Sequence, residues 1–267
     1  MSERVKGCTC TSCQVCSGEY TVCPECKRCT RCDGHLPADC PGCAGSDDPV
    51  GRKYKVLNHG HVILRGVFGT DQDIVNAARI SYHEDSNRKV TDDAGLLDYL
   101  MRHHHTSPFE MVVFRFQVKL PIFVERQWVR HRTCSMNEMS ARYSELPAEY
   151  YQPDPDTVRA QSTVNKQGRD QQLPSDTVVG FRDDVALECG GAFPLYKLHL
   201  ELGVARELAR IILPLGTYTE KVWQMNLHNL LHFLKLRSDE HAQWAPSCCG
   251  RPSASPAPSL PCSRPAV

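Results

Sequence analysis

The chain has 267 residues, 31 basic and 31 acidic side chains, 41% hydrophobic content and a formal net charge of zero, enough for one well-buried domain with appendages and too apolar for a disordered chain. Charge balance argues against nonspecific nucleic-acid binding, so any arginine cluster reads as a local anion site rather than part of a basic surface. No apolar run approaches the ~20 residues that span a bilayer and the first residues lack a secretory stretch, so no membrane contact and a cytoplasmic location are expected.

Ten of the fifteen cysteines lie between Cys8 and Cys43, and only two lie between Gly51 and Trp244. They are spaced as Cys10-x2-Cys13-x2-Cys16, Cys23-x2-Cys26-x2-Cys29-x2-Cys32 and Cys40-x2-Cys43. Two-residue spacers let thiolates converge on one tetrahedral ion, so Cys13, Cys16, Cys23, Cys26, Cys29, Cys32, Cys40 and Cys43 are candidate zinc ligands in a reduced compartment. An iron–sulfur cluster on Cys23 to Cys32 is the rival, and a translated upstream segment without a folded role is the third reading. Residues 1–50 are therefore a Cys-rich extension, ending in the linker Ala-Gly-Ser-Asp-Asp-Pro-Val before Gly51.

The folded core is expected to start just after that linker. Tyr54 to Leu57 and His61 to Val67 read as two strands joined by an Asn58-His59-Gly60 turn. Thr70 can cap a helix through Ile80 with Ile74, Ala77, Ala78 and Ile80 on one face. Thr91, Asp92 and Asp93 signal a second helix that carries Leu96, Leu97, Tyr99 and Leu100 toward the core. His103, His104 and His105 make a poor chelate, because consecutive helical side chains diverge.

From Met111 to Leu120 the chain alternates, with Val112, Phe114, Phe116, Val118 and Leu120 on one face of a half-buried strand. Pro121 suits the first position of a helix that runs to about Arg132 and sets Gln127, Arg130 and His131 on one surface. Tyr151 to Pro174 is polar and reads as a long surface excursion. Leu195, Leu198, Leu202, Ala205, Leu208, Ala209 and Ile212 suggest a helix from Asp183 to Leu213, with Gly190-Gly191 as a possible break. Thr217 or Thr219 opens a last helix with Trp223, Leu227, Leu230, Leu231 and Leu234 as its stripe. Helices around a mainly antiparallel sheet make the expected class α+β.

The run Arg130 to Tyr143 reads Arg-His-Arg-Thr-Cys-Ser-Met-Asn-Glu-Met-Ser-Ala-Arg-Tyr. Planar guanidinium forks suit phosphate oxygens, and the glutamate and serines offer the acceptors and hydroxyls that a sugar or base needs. A solvated, salt-bridged helix end is the bland alternative for such a run taken alone.

The run resembles the motif of the flavin-dependent thymidylate synthases (ThyX), Arg-His-Arg, seven residues, then Ser, in its longer form. The matching positions are Arg130, His131, Arg132, Ser135, Asn137, Glu138, Ser140, Arg142 and Tyr143. The blocks His104 to Glu110 and Leu234 to Trp244 look like the same family in the same order, so the resemblance covers about Lys53 to Trp244. It implies the family fold over a domain spanning 51–244 and the reductive methylation of dUMP, with methylene from methylenetetrahydrofolate, hydride through FAD and NADPH as reductant. No enzyme nucleophile is implied. Site assembly from several subunits of a homotetramer is.

Carried over position by position, the resemblance gives Gln127, Arg130, Glu138, Ser140, Ala141, Arg142, Arg210 and Arg237 to dUMP. Arg130 and Arg142 would meet phosphate, Glu138 a sugar hydroxyl, and Arg237 the uracil, whose charged form it would stabilise. Arg237, Ser140 and Arg142 are thus the catalytic candidates, Ser140 as a substrate contact, since no histidine base stands at triad spacing. For Arg210 an ion pair with Glu207 is the competing reading. The flavin would meet Ser107, Glu110, Arg130, His131, Arg132, Thr133, Asn226, His228, Leu236 and His241. His228 and His232 stand where some members have Arg and Asn.

The last 23 residues depart from the family pattern: after Trp244 six prolines occur before Val267, which no helix tolerates. Residues 245–267 therefore read as a disordered tail, of frameshift or truncation origin, expected to lower stability or spoil the oligomer. Two other functions compete, a metal-binding protein built on the cysteines and a catalytically impaired relative that binds nucleotide or flavin.

Overall fold

The computed structural model describes residues 49–81, 92–164, 166 and 168–238. The cysteine candidates from Cys13 to Cys43, Thr91, His241, Trp244 and the proline-rich tail lie outside the described residues.

Five strands form the main sheet: β1 (Lys53–Val56), β2 (Gly60–Phe68), β3 (Val113–Pro121), β4 (Ser135–Glu138) and a strand Tyr218–Asn226. The order is β1-β2-β3-(218–226)-β4, with every pairing antiparallel. The hairpin at Asn58-His59-Gly60 forms as expected. Gly60 is required there, since an added Cβ would sit 2.6 Å from the Val56 carbonyl oxygen and 2.8 Å from that of Lys119.

Helices α1 (Asp71–Ile80) and α2 (Asp93–Arg102) follow the hairpin. The Asp73 carboxylate accepts from the Thr70 backbone N–H at 2.7 Å, and Asp92 accepts from the Gly95 N–H at 3.2 Å, so both starts are capped. α1 buries Ile74, Val75 and Ala78, while the expected Ile80 is 84% exposed. At 100° per residue Ile74, Ala78 and Val75 fall within an arc of about 100°, whereas Ile80 swings to the far side. Of the apolar set on α2, Leu100 is buried and Tyr99 is exposed. Ile74, Ala78 and Leu100 pack with Phe109 and Val112 in a satellite core, Phe109 coming from the 3-10 turn Ser107–Met111.

β3 turns directly into α3 (Ile122–Trp128), shorter than expected. The Arg130 N–H reaches the Gln127 carbonyl and the His131 N–H that of Trp128, at 3.4 and 2.9 Å, so a 3-10 turn replaces the α-helix and Gln127, Arg130 and His131 share no single α-helical surface. Residues 135–138 then add β4 as an edge strand.

Beyond Tyr151 the polar excursion carries a 3-10 turn Pro155–Thr157 and a small hairpin, β5 (Arg159–Gln161) with β6 (Arg169–Gln172). The next helix, α4 (Ser175–Glu201), starts eight residues before the expected Asp183 and runs through Gly190-Gly191 without a break. It stops instead near Gly203, whose φ of +84° suits only glycine well. α5 (Arg206–Ala209) and a 3-10 turn Arg210–Ile212 complete that arm.

The last predicted helix is corrected most. Tyr218–Asn226 is strand β7, paired with β3 and β4, and α6 (Leu227–Arg237) starts only after it. Trp223 therefore belongs to the sheet. Its inward neighbours are Thr219 and Lys221, polar residues that hide the period of two. Val118, Leu120, Val124, Trp128, Trp223, Met225, Leu230 and Phe233 form the main core between the sheet and helices α3 and α6. The fold is α+β with an antiparallel sheet flanked by helices, as expected.

Candidate active site

α3 and α6 meet at their C-terminal ends, and that meeting builds the densest polar group of predicted site residues. The Arg237 Nε donates to His131 Nε2 at 3.0 Å, and its Nη2 donates to the Gln127 carbonyl at 3.2 Å. Nη1 and one Nη2 hydrogen of Arg237 are left for a ligand. Burial draws the Arg237 pKa below the ordinary arginine value. His131 stands edge-on to Phe233 with ring centroids 4.8 Å apart. Burial, then Arg237, His232 and Lys221, holds its imidazole pKa below the usual histidine value, because added positive charge is disfavoured there.

Beside this group runs the rest of the arginine-rich segment. Arg130, Arg132 and Thr133 are exposed in the turn between α3 and β4, and no carboxylate among the described residues pairs with the two guanidinium groups. β4 carries Glu138, whose Oε1 accepts from the Thr219 hydroxyl at 2.6 Å, leaving Oε2 for a sugar hydroxyl. The turn after β4 is closed by Ser140, whose Oγ accepts from the Arg142 N–H at 3.3 Å and whose carbonyl accepts from the Tyr143 and Ser144 N–H groups. Ala141 is buried, and the Arg142 guanidinium sits 5.5 Å from the Tyr143 ring centroid.

The flavin candidates fall along α6 and the turn that packs on it. Asn226 caps α6 by accepting from the Asn229 N–H at 2.9 Å, so its amide nitrogen, not its oxygen, can face a ligand. His228 is half-buried in the first turn of α6 and Leu236 is 49% exposed in the last. Ser107 and Glu110 are exposed on the 3-10 turn Ser107–Met111, tied to α6 through Phe109 and Leu227.

Arg210 is not drawn into the group around Arg237: it is exposed on the 3-10 turn that packs with α4 and α5. The structure adds two residues that the sequence reading missed. Thr219 holds Glu138, and Lys221, its register partner, is buried in an ion pair with Glu125. The Lys221 Nζ lies 5.3 Å from the Trp128 ring and 5.6 Å from that of Trp223. Burial pushes the Glu125 carboxyl pKa up, against the pull of Lys221. A strand assignment for 218–226 would have exposed both residues as inward-facing.

A family model described as thymidylate synthase complementing protein matches residues 64–245. The chain belongs to the ThyX family. The flavin-dependent thymidylate synthase of Thermus thermophilus is 53% identical over 189 residues, covering 71% of this chain and 68% of its own length. That of Wolbachia pipientis is 48% identical over 192 residues, covering 72% and 67%. The chain thus spans about two thirds of the length of these ThyX relatives. A UMP/dUMP methylase from Streptomyces cacaoi, solved with 5-Br dUMP, is 36% identical and superposes with a TM-score of 0.60 over 68% of this chain and 80% of that one.

Proposed function

We propose that this ThyX chain makes dTMP by reductive methylation of dUMP, with methylenetetrahydrofolate, FAD and NADPH and without an enzyme nucleophile. The observation that carries the reading is the convergence of Arg237, His131 and Gln127 beside the exposed guanidinium groups of Arg130, Arg132 and Arg142. Family membership and the dUMP analogue bound by the Streptomyces cacaoi relative support it.

Each side chain has a task that its chemistry suits. Arg130 and Arg142 offer planar donor forks to the dUMP phosphate, and Glu138, fixed by Thr219, accepts from the sugar. Ala141 lets the backbone approach the nucleotide, and Gln127 completes its lining. Ser140 contacts dUMP rather than attacking it, since its Oγ accepts from the Arg142 N–H and no histidine pairs with it among the described residues. Arg237 puts permanent positive charge where negative charge develops on the uracil, which favours the transition state over the ground state.

The donor set also fits a flavin. Hydroxyl, imidazole and amide groups of Ser107, Thr133, His131, His228 and Asn226 suit ring carbonyls and nitrogens, Arg130 and Arg132 suit a pyrophosphate, and Leu236 offers apolar contact. When bound, FAD supplies the hydride. Glu110 and His241 complete the proposed flavin set, and Arg210 completes the dUMP set from another subunit of a homotetramer. The exposed leucines of α4 support that assembly. We assign 51–244 to the synthase domain, 1–50 to a cysteine-rich extension with a zinc site and 245–267 to a tail.

The test is NADPH oxidation by purified FAD-loaded protein supplied with methylenetetrahydrofolate, with and without dUMP, followed by a dTMP assay. dUMP-dependent dTMP formation is expected. Bound FAD with no dTMP would sink the synthase reading.

A further inference from the structure

We propose that His131 is a positioning residue for Arg237: its uncharged imidazole accepts the guanidinium N–H and aims the arginine at the uracil of dUMP, and protonation releases it. This rests on the assignment of Arg237 to dUMP made above.

The geometry leaves one protonation pattern. Arginine has no acceptor, so the 3.0 Å contact from Arg237 Nε requires a lone pair on His131 Nε2. With Nη2 tied to the Gln127 carbonyl at 3.2 Å, two points of the planar group are fixed, and its plane and direction follow. His131 is itself held in place. Its ring stands against Phe233 at 4.8 Å, its backbone N–H donates to the Trp128 carbonyl at 2.9 Å, and its own carbonyl accepts from the Cys134 thiol at 3.0 Å.

The surroundings keep the imidazole uncharged near neutrality. The charged groups acting on it are Arg237 and His232 from α6 and Lys221 from β7, and Arg130 and Arg132 flank it in the chain. Burial opposes a further proton most and Arg237, His232 and Lys221 add to it, so the proton affinity lies below the histidine value of 6.5. In acid the proton arrives on the nitrogen that held Arg237, and an attraction becomes a repulsion between cations. Arg237 then loses one of the two contacts that orient it and keeps only the Gln127 carbonyl.

The experiment measures dUMP affinity of the FAD-loaded protein from about pH 8 to about pH 5 for wild type, His131→Gln and His131→Phe, with flavin absorbance checking that each is loaded. The dUMP phosphate titrates too, so the ratio of variant to wild-type affinity at each pH is the quantity read. A glutamine carbonyl accepts at every pH. Wild type should therefore lose about ten-fold against His131→Gln between the two ends of the range, and His131→Phe should bind about ten-fold more weakly than His131→Gln at the upper end, the worth of one charged hydrogen bond. A ratio of wild type to His131→Gln that stays constant over the range overturns the proposal, even if His131→Phe does not fold. If wild type binds no dUMP at any pH, the dUMP reading falls and this inference with it, whereas a constant ratio overturns only the role of His131.

Discussion

The layer of β3, β7, α3 and α6 and the arm of α4 and α5 obey opposite rules. In the first, Val118, Leu120, Val124, Trp128, Trp223 and Phe233 are all but sealed from solvent, and even Lys221 is buried with a carboxylate partner. In the second, the 27 residues of α4 bury only Phe193 and Tyr196, while Leu187, Leu195, Leu198 and Leu202 share one exposed face. A chain that closes one core on itself and leaves a leucine stripe open has two separate sources of stability. The first lies within the chain, and the second is expected from a partner copy.

Substitutions in the two regions should therefore respond differently. The largest effect belongs to Lys221→Met, which strands Glu125 in the core and should cost about 3–5 kcal/mol in denaturant unfolding, with most of it recovered by adding Glu125→Leu. A single variant that unfolds like wild type would show that the buried pair does not anchor this layer.

Acid comes next. His61, 3.2 Å away, and then Gln117 hold the Glu220 carboxyl at a pKa of about 2, against an ordinary 4.5. The unfolded chain takes up a proton there that the folded chain resists, so stability present above about pH 5 is lost as pH falls toward 2, trimmed by solvent screening. Melting scans across that window should show a smaller acid loss for Glu220→Gln than for wild type. An identical loss in the two proteins would remove Glu220 from the account.

Asn226→Ala removes the α6 cap and should cost about 1 kcal/mol, read as a lower melting temperature. The smallest effect on chain stability is expected on the open arm, where Leu198→Glu with Leu202→Glu should stay within about 0.5 kcal/mol in the monomer. Sedimentation should nevertheless show the assembly reduced to smaller species. If the pair leaves assembly intact, the leucine stripe is not the contact between copies.

The parts legible in the sequence were those whose pattern matched their burial. The hairpin at Asn58-His59-Gly60, the capped start of α1 and the alternation of β3 all follow from spacing and turn chemistry. β7 was not legible, because its inward positions Thr219 and Lys221 are polar and its Trp223 falls in helical step with Leu227, Leu230 and Leu234. The α4 periodicity was real, but its leucines face away from this chain's core, and no one-chain pattern says which way an apolar face will turn. The arginine-rich run was legible as residues. Its partition into a 3-10 turn, an edge strand and a closing turn was not.

What the sequence determined by itself is the chemistry available: forked cations, a carboxylate and hydroxyls in a fixed order, and the ThyX family to which that order belongs. What only the tertiary structure decided is which of them meet. Arg237 lies 106 residues from His131, and the 3.0 Å contact between them exists because α3 and α6 pack on the same face of one sheet. Local spacing reaches only across a few residues of chain, while a hydrogen bond of that range requires the sheet to set both helix ends in place.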